Sequence, residues 1–155
     1  MKLTRGLAII ILLLGVVAVV LGGVFIGQGI AKNNLIVERM KVEKVTLAVD
    51  PSNPQQLTPI TNAADAQKAA DTIASHRRAI APTYQDLLGS GRFDSTNPKH
   101  LTYAQAMNLE NYLYMAVTAF GLIQVATASG VFMVVTGLAL VGTGVALNRL
   151  SGRLS

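Results

Sequence analysis

Two long stretches of the chain are apolar and carry no charge, and they predict two membrane-spanning helices. Residues 6–31 and 111–148 contain no Asp, Glu, Lys or Arg. A stretch of more than about 18 apolar residues without charge is typical of a transmembrane helix. We therefore predict a first span over residues 6–31 and a second span over residues 126–148, which lie within the second tract.

The first tract also has one feature of a secretory signal peptide, because Gly29-Ile30-Ala31 offers a small-x-small cleavage site. Its apolar part runs from Leu7 to Ile30, which is longer than the core of about 7–15 residues of a typical signal peptide. We therefore favour an uncleaved membrane anchor.

The second tract is longer than one crossing needs. Asn97-Pro98 predicts the start of a helix, with Asn97 as the cap and Pro98 at the first helical position. As one helix, the uncharged tract alone would be about 57 Å long, whereas a bilayer core is about 30 Å thick. Either one helix crosses and also projects outward, or the chain turns near Ser129-Gly130 and crosses twice. We favour the single projecting helix, because such a turn would lack proline, asparagine and charge.

Residues 32–125 form the predicted domain between the spans, and their pattern is mainly helical. We predict a helix over residues 63–80, with Asn62 as its N-cap, and a short helical turn over residues 84–88. Pro82 ends the longer helix.

The segment after the first span is harder to assign. Residues 35–49 fit either a helix that continues from the span or a strand, because both periodicities occur there. Residues 50–59 contain three prolines and predict irregular structure.

Glycines occur at matching positions in the two predicted spans: residues 15–29 read GVVAVVLGGVFIGQG and residues 130–144 read GVFMVVTGLALVGTG. Lipid does not drive helices together by the hydrophobic effect, so small residues mark the faces on which helices pack. A spacing of seven keeps residues on one helix face, with about 20° of drift. For antiparallel spans we expect Gly22 to face Gly137. The predicted packing stripes consist of Gly15, Gly22 and Gly29 on the first span and of Gly130, Gly137 and Gly144 on the second.

Three further glycines point away from these stripes. Gly23 and Gly27 form a GxxxG pair, and Gly142 lies at a similar angle on the second span. We predict that this second face meets a neighbouring chain, as in a homo-oligomer or a larger membrane complex. Two other interpretations stay open: glycine is common in membrane helices, and inverted-topology repeats of transporters also give internal symmetry.

The charge distribution predicts the orientation. All eight acidic residues lie between Glu38 and Glu110, whereas the terminal segments 1–5 and 149–155 carry four basic residues. Cytoplasmic flanks of membrane spans are enriched in Lys and Arg. We therefore predict that both termini are cytoplasmic and that the middle segment lies outside. Because the basic excess lies beside the spans, it does not indicate a nucleic-acid partner.

Candidate chemistry is sparse, and we predict no catalytic, cofactor or metal site. There is no cysteine, and the two histidines, His76 and His100, are far apart in the sequence. An iron site of two histidines and one carboxylate is conceivable with Asp71, Asp86 or Asp94, but no local spacing supports it. The chain has no phosphate loop, nucleophile elbow or HExxH motif. The residues that we consider for partner binding are His76, Arg77, Arg78 and Tyr84.

Three short motifs of the chain resemble those of a known group of membrane proteins. AQKAADTIASH at residues 66–76, TYQDL at 83–87 and AVTAFG at 116–121 resemble a group of small two-span bacterial membrane proteins that are common in actinobacteria. These proteins are often labelled aromatic ring-opening dioxygenases. The resemblance implies a bacterial plasma-membrane protein with an extracytoplasmic helical segment, and it implies no established activity.

Together these patterns predict an all-α membrane protein. It would be an antiparallel two-helix transmembrane hairpin with a mainly helical extracytoplasmic domain and a long projecting second helix. The function that we expect is a non-enzymatic structural or accessory subunit, with the lipid bilayer and other protein subunits as partners. The alternative is a membrane-anchored binding module for a ligand or a partner protein.

Overall fold

The computed structural model describes residues 2–50 and 53–153, and most of them are helical. The elements in chain order are α1 (Lys2–Val42), β1 (Thr46–Asp50), β2 (Asn53–Pro59), α2 (Ala63–Ile80), α3 (Tyr84–Leu88) and α4 (Pro98–Arg153). Helices α1 and α4 are both long and apolar enough to cross a membrane. The prediction of a mainly helical chain with two such helices is confirmed.

Helix α4 is one uninterrupted helix, so the chain does not turn near Ser129-Gly130. Its start is capped by Asn97, whose side-chain oxygen accepts a hydrogen bond from the Lys99 N–H at 3.0 Å. The backbone carbonyl of Asn97 accepts another from the Leu101 N–H at 3.0 Å. The first bond satisfies the Lys99 amide, which has no partner within the helix, and the second is the first i→i−4 hydrogen bond of α4.

The two shorter helices also begin at capping residues. The Asn62 side chain accepts a hydrogen bond from the Asp65 N–H at 2.9 Å and so caps α2. Thr83 and Asp86 form a capping box at the start of α3, in which each side chain bonds the backbone N–H of the other. Both helices have the bounds that the sequence predicts, because these local signals are strong.

The segment between α1 and α2 contains a small antiparallel ribbon, which the sequence-based assignment missed. Helix α1 extends to Val42, and β1 and β2 pair with Thr46 opposite Pro59. The prediction of irregular structure over residues 50–59 is wrong for Asn53–Pro59, and the class all-α is too narrow. In a two-stranded ribbon each strand has an unpaired edge, where a proline without an N–H costs no ladder bond. Residues 51–52 lie outside the described part of the chain.

The chain forms two compact units. The paired-helix unit consists of the chain up to Asn33 and the segment from Leu122 onward, and the middle unit is Asn34–Gly121.

The core of the middle unit is built on a face of α2 that carries small residues. Ala66, Ala69 and Ala70 are buried there, together with Leu113 and Phe120 from α4. The short alanine side chains let the helices approach closely, so that large residues of α4 fill the remaining space. A second buried cluster contains Ala81, Leu87 and Tyr103.

Candidate functional site

The six glycines of the predicted stripes lie in a seam between α1 and α4, and all six are buried. A methyl group placed on Gly15 would lie 2.7 Å from the carbonyl oxygen of Gly137, and one on Gly137 would lie 2.7 Å from the carbonyl oxygen of Gly15. Gly22 and Gly130 show the same reciprocal approach, at 2.5 and 2.7 Å. Real β-carbon contacts are essentially never below 3.0 Å, so these positions have no room for a side chain.

The ends of the seam are equally close. A methyl group on Gly144 would lie 2.9 Å from the backbone nitrogen of Leu12 and 3.0 Å from the carbonyl oxygen of Ala8. One on Gly29 would collide with the side-chain oxygen of Thr127. Residues with higher numbers on α1 therefore contact residues with lower numbers on α4, so the two segments run in opposite directions.

The register of the seam differs from the predicted one. Gly22 lies against Gly130 and Val134, whereas we expected it to face Gly137. Gly22 thus lies level with position 132 of α4, midway between residues 130 and 134. Position 132 is five residues from Gly137, or about 7.5 Å along the axis of α4. Glycines that faced each other would leave gaps between the helices, and a gap forfeits van der Waals contact. In the observed register the larger residue Val134 fills the space that Gly22 leaves.

The alternation of small and large residues at the seam recurs along both helices. It is visible in the sequence and predicts the packing. A small residue and a larger one alternate at spacings of four and three over Ala8–Gly29 on α1 and over Thr127–Gly144 on α4, the pattern of helices that pack knobs into holes. On α1 the seam residues are Ala8, Leu12, Gly15, Val19, Gly22, Ile26 and Gly29, and on α4 they are Ile123, Thr127, Gly130, Val134, Gly137, Val141 and Gly144.

The three glycines assigned to a second face do not take part in the seam. Gly23, Gly27 and Gly142 are exposed, and a methyl group on any of them would meet no atom within 4 Å. Gly142 lies in a groove of about 450 Å³ on the surface of α4. The groove is lined by Gly142, Val145, Ala146, Arg149 and Leu150.

The four candidates for partner binding do not form one site. His76 and Arg78 are exposed on α2, whereas Arg77 is half-buried and forms an ion pair with Glu110. The Nε of Arg77 donates to Oε2 of Glu110 at 2.6 Å, and one terminal nitrogen donates to the hydroxyl of Tyr103 at 2.5 Å. The hydrogen bond to Glu110 raises the pKa of Arg77 above its ordinary value. Arg77 therefore joins α2 to α4, and its guanidinium is engaged by Glu110 and Tyr103 within the chain.

Tyr103 is the centre of this cluster. It is fully buried, the guanidinium carbon of Arg77 lies 5.0 Å from its ring centroid, and the ring of Tyr84 lies 6.2 Å away. The structure thus brings Arg77 and Tyr84 to the same side chain. No local sequence signal marks Tyr103 and Glu110 as partners of Arg77, although their separation of seven residues places them on one face of α4.

The carboxylates that were considered for an iron site have other roles. The Tyr114 hydroxyl donates to Asp71 at 2.9 Å, and Asp86 belongs to the capping box of α3. Asp94 accepts hydrogen bonds from the hydroxyl and the N–H of Thr96 at 2.7 and 2.8 Å, and these lower the pKa of Asp94. Within residues 2–50 and 53–153, no cluster of three or more His, Asp or Glu could hold a metal ion.

His100 likewise stabilises the loop that precedes α4. Its Nδ1 accepts a hydrogen bond from the Asp94 N–H at 3.0 Å, and its ring stacks on Phe93 with the ring centroids 5.7 Å apart. These contacts explain the presence of a histidine here without a bound metal.

An apolar pocket of about 190 Å³ lies elsewhere in the middle unit, between the ribbon, α2 and α4. Its walls are aliphatic apart from two threonines, and His76, Arg77 and Tyr84 do not line it. The lining residues are Val45, Thr46, Leu57, Ala69, Thr72, Ile73, Leu109 and Leu113.

Comparison with known proteins finds no match to this chain among family models, curated proteins or solved structures.

Proposed function

We propose that this protein is a non-enzymatic integral membrane protein that acts as a structural or accessory subunit. The paired-helix unit is an antiparallel transmembrane hairpin, both termini are cytoplasmic, and the middle unit lies outside the membrane. The chain assembles with itself or with other subunits through the open glycine face on α1, which consists of Gly23 and Gly27. The small two-span bacterial membrane proteins that the chain resembles have the same layout.

The single observation that carries this proposal is the contrast between the two sets of glycines. Those of the seam have backbone in contact with backbone, whereas Gly23, Gly27 and Gly142 meet no atom within 4 Å. In lipid, close backbone approach is a main source of helix association. A glycine face that remains open after the hairpin has closed is therefore suited to a second helix.

The membrane location is supported by the surface of the two helices. The most apolar window of α1 has a mean hydropathy of 3.2 and is only 11% buried, and the corresponding window of α4 has 2.1 and is 17% buried. A core helix of a water-soluble protein would be mostly buried. Exposed apolar surface of this extent needs lipid or another protein to cover it.

The apolar pocket of the middle unit favours a second candidate function, a membrane-anchored binding module. The pocket is close in size to apolar cavities of about 150 Å³ that bind a single small molecule. Leu57 and Leu109 at its edge are 56% and 38% exposed. The ligand in this case would be apolar and would not bind at His76, Arg77 and Tyr84.

The mass of the full-length protein in a mild detergent tests the leading proposal. We expect the wild type to have the mass of an oligomer or of a complex, and Gly27→Leu to reduce it to that of a single chain. Gly121→Leu is the matched control, because Gly121 is also a helical glycine with no atom within 4 Å but belongs to the middle unit. A wild-type protein that is strictly monomeric would contradict self-assembly.

A further inference from the structure

The groove at Gly142 combines an apolar floor with a charge at one end. Gly142, Val145, Ala146 and Leu150 line most of it, and Arg149 lines it towards the C-terminal end of α4. Gly142 has no side chain and Ala146 has a short one, so the groove remains open along the helix. Its volume is about 450 Å³. Its shape and polarity fit a molecule with an apolar chain and one anionic end.

The register of the seam places a second arginine at the level of Arg149. Gly144 contacts both Ala8 and Leu12, so it lies at the level of position 10 on α1. Both helices rise by about 1.5 Å per residue and run in opposite directions. Five residues further along α4 and five residues back along α1, Arg149 and Arg5 therefore lie at the same level.

These two arginines have no acidic side chain in their own unit. All eight Asp and Glu residues of the chain lie between Glu38 and Glu110, which is within the middle unit, Asn34–Gly121. A second copy of the paired-helix unit would have the same composition, and it would add more cations and no carboxylate side chain. Covering Arg149 without a counter-charge would be unfavourable, so a second copy is a poor occupant of this groove.

We propose that the groove binds one anionic phospholipid. The lipid phosphate contacts Arg149 and Arg5, and an acyl chain lies along Gly142 and Ala146. This inference rests on the proposed function, because it requires the two helices to lie in a bilayer. It reassigns Gly142 from the oligomer face to a lipid site and leaves Gly23 and Gly27 for contacts between chains.

Native mass spectrometry of the full-length protein in mild detergent tests the site. The protein is titrated with phosphatidylglycerol or with phosphatidylcholine that carries the same acyl chains. We expect one phosphatidylglycerol to bind preferentially and Arg149→Gln to weaken its binding roughly fivefold, since a basic residue near the headgroups contributes about 1 kcal/mol. Arg149→Lys keeps the charge and retains most of the binding. Glycerol phosphate, which lacks the acyl chains, does not compete.

Two further variants separate this site from unspecific effects. Gly142→Leu fills the groove and weakens the binding of phosphatidylglycerol, whereas Gly121→Leu, an equally open helical position in the middle unit, does not. Arg92→Gln removes the same charge from an exposed residue of the middle unit and leaves lipid binding unchanged.

Equal binding of the two lipids by the wild type, or unchanged binding of phosphatidylglycerol by Arg149→Gln, would overturn the inference. A reduced oligomer mass in Gly142→Leu with unchanged lipid binding would also overturn it and would support the oligomer face instead. Extraction of membranes with alkaline carbonate distinguishes a failure of the proposed membrane location from a failure of the lipid site. Release of the protein contradicts the proposed function itself, whereas a protein that stays in the membrane but shows no lipid preference contradicts only the lipid site.

Discussion

A methyl group placed on Gly22 would lie 2.5 Å from the carbonyl oxygen of Gly130, and one placed on Gly130 would lie 2.7 Å from the carbonyl oxygen of Gly22. The two backbones touch at these positions, and neither helix can accept a side chain there without moving. Gly23, the next residue, has no atom within 4 Å of such a methyl group. The neighbouring glycines therefore provide an internal comparison between a packed and an open position.

The register of the seam predicts a specific disulfide. A β-carbon on Gly29 would lie 3.4 Å from the β-carbon of Thr127, close to the usual range of about 3.5–4.5 Å in disulfides. The chain has no cysteine of its own, so the double variant Gly29→Cys/Thr127→Cys has only this pair. We expect it to oxidise efficiently within one chain in isolated membranes, which a mobility shift on a non-reducing gel measures.

A pair in the register that we first expected serves as the control. Gly22→Cys/Gly137→Cys should oxidise poorly, because Gly22 lies about 7.5 Å along the helix from the level of Gly137. Efficient oxidation of this control, with little oxidation of Gly29→Cys/Thr127→Cys, would contradict the observed register.

The contrast between Gly22 and Gly23 predicts the effect of added bulk. Overpacking a filled contact costs about 1–3 kcal/mol for a small addition, and Gly22→Leu adds far more than one methyl group. We expect Gly22→Leu to reduce disulfide formation in the Gly29→Cys/Thr127→Cys background at least several-fold, because the helices must separate. Gly23→Leu should leave the yield unchanged, and equal yields for the two variants would show that the seam tolerates side chains.

The sequence predicted the helices well because their signals are local. Asn62, Thr83 and Asn97 are capping residues with partners a few positions away, so the helix starts could be assigned without knowledge of the fold. The glycine positions could be assigned to a face for the same reason. The register could not be obtained by matching glycine to glycine, because it depends on how Val134 and the other large residues fill the space between the helices.

The ribbon and the ion pair depend on contacts that are distant in the sequence. The strand Asn53–Pro59 has a composition that disfavours strands, and it forms by pairing with Thr46–Asp50. Arg77 and Glu110 are 33 residues apart, and no local pattern reveals which arginine of the pair Arg77-Arg78 turns inward. Their partners become evident only when α2 packs on α4.

The ion pair predicts a large loss of stability when one partner is removed. The side chains of Arg77 and Glu110 are only 12% and 10% exposed. Glu110→Gln leaves the largely buried charge of Arg77 without its carboxylate, which we expect to destabilise the middle unit by about 3 kcal/mol. All four tyrosines of the chain lie within the middle unit, so the thermal loss of their near-ultraviolet circular dichroism reports on this unit. The expected decrease of Tm is more than about 10 °C.

Two variants show whether the loss comes from the unpaired charge. Arg78→Gln removes the exposed neighbouring arginine and should change stability by less than about 0.5 kcal/mol. Arg77→Met combined with Glu110→Leu removes both charges and should recover much of the stability lost in Glu110→Gln. If Glu110→Gln melts at the same temperature as Arg78→Gln, the ion pair does not hold α2 to α4.

The loop before α4 predicts a response to acid. The Asp94 carboxylate accepts hydrogen bonds from the hydroxyl and the N–H of Thr96, and these bonds lower its pKa. The folded protein therefore binds this proton less readily than the unfolded chain does. The stabilisation of the loop is complete above the ordinary pKa of an aspartate, and it is lost as the pH falls through the lowered pKa of Asp94. An NMR titration that follows the Asp94 carboxyl carbon and the Thr96 amide should show both signals changing at that lower pH.

The variant Thr96→Val tests the cause of this shift. It removes the hydroxyl, which makes the largest contribution to the lowered pKa, and keeps the backbone N–H. We expect the pKa of Asp94 to rise towards the ordinary value for an aspartate, because one of the bonds to the charged form is lost. An Asp94 titration that is unchanged by Thr96→Val would assign the shift to the backbone of the loop and not to the hydroxyl of Thr96.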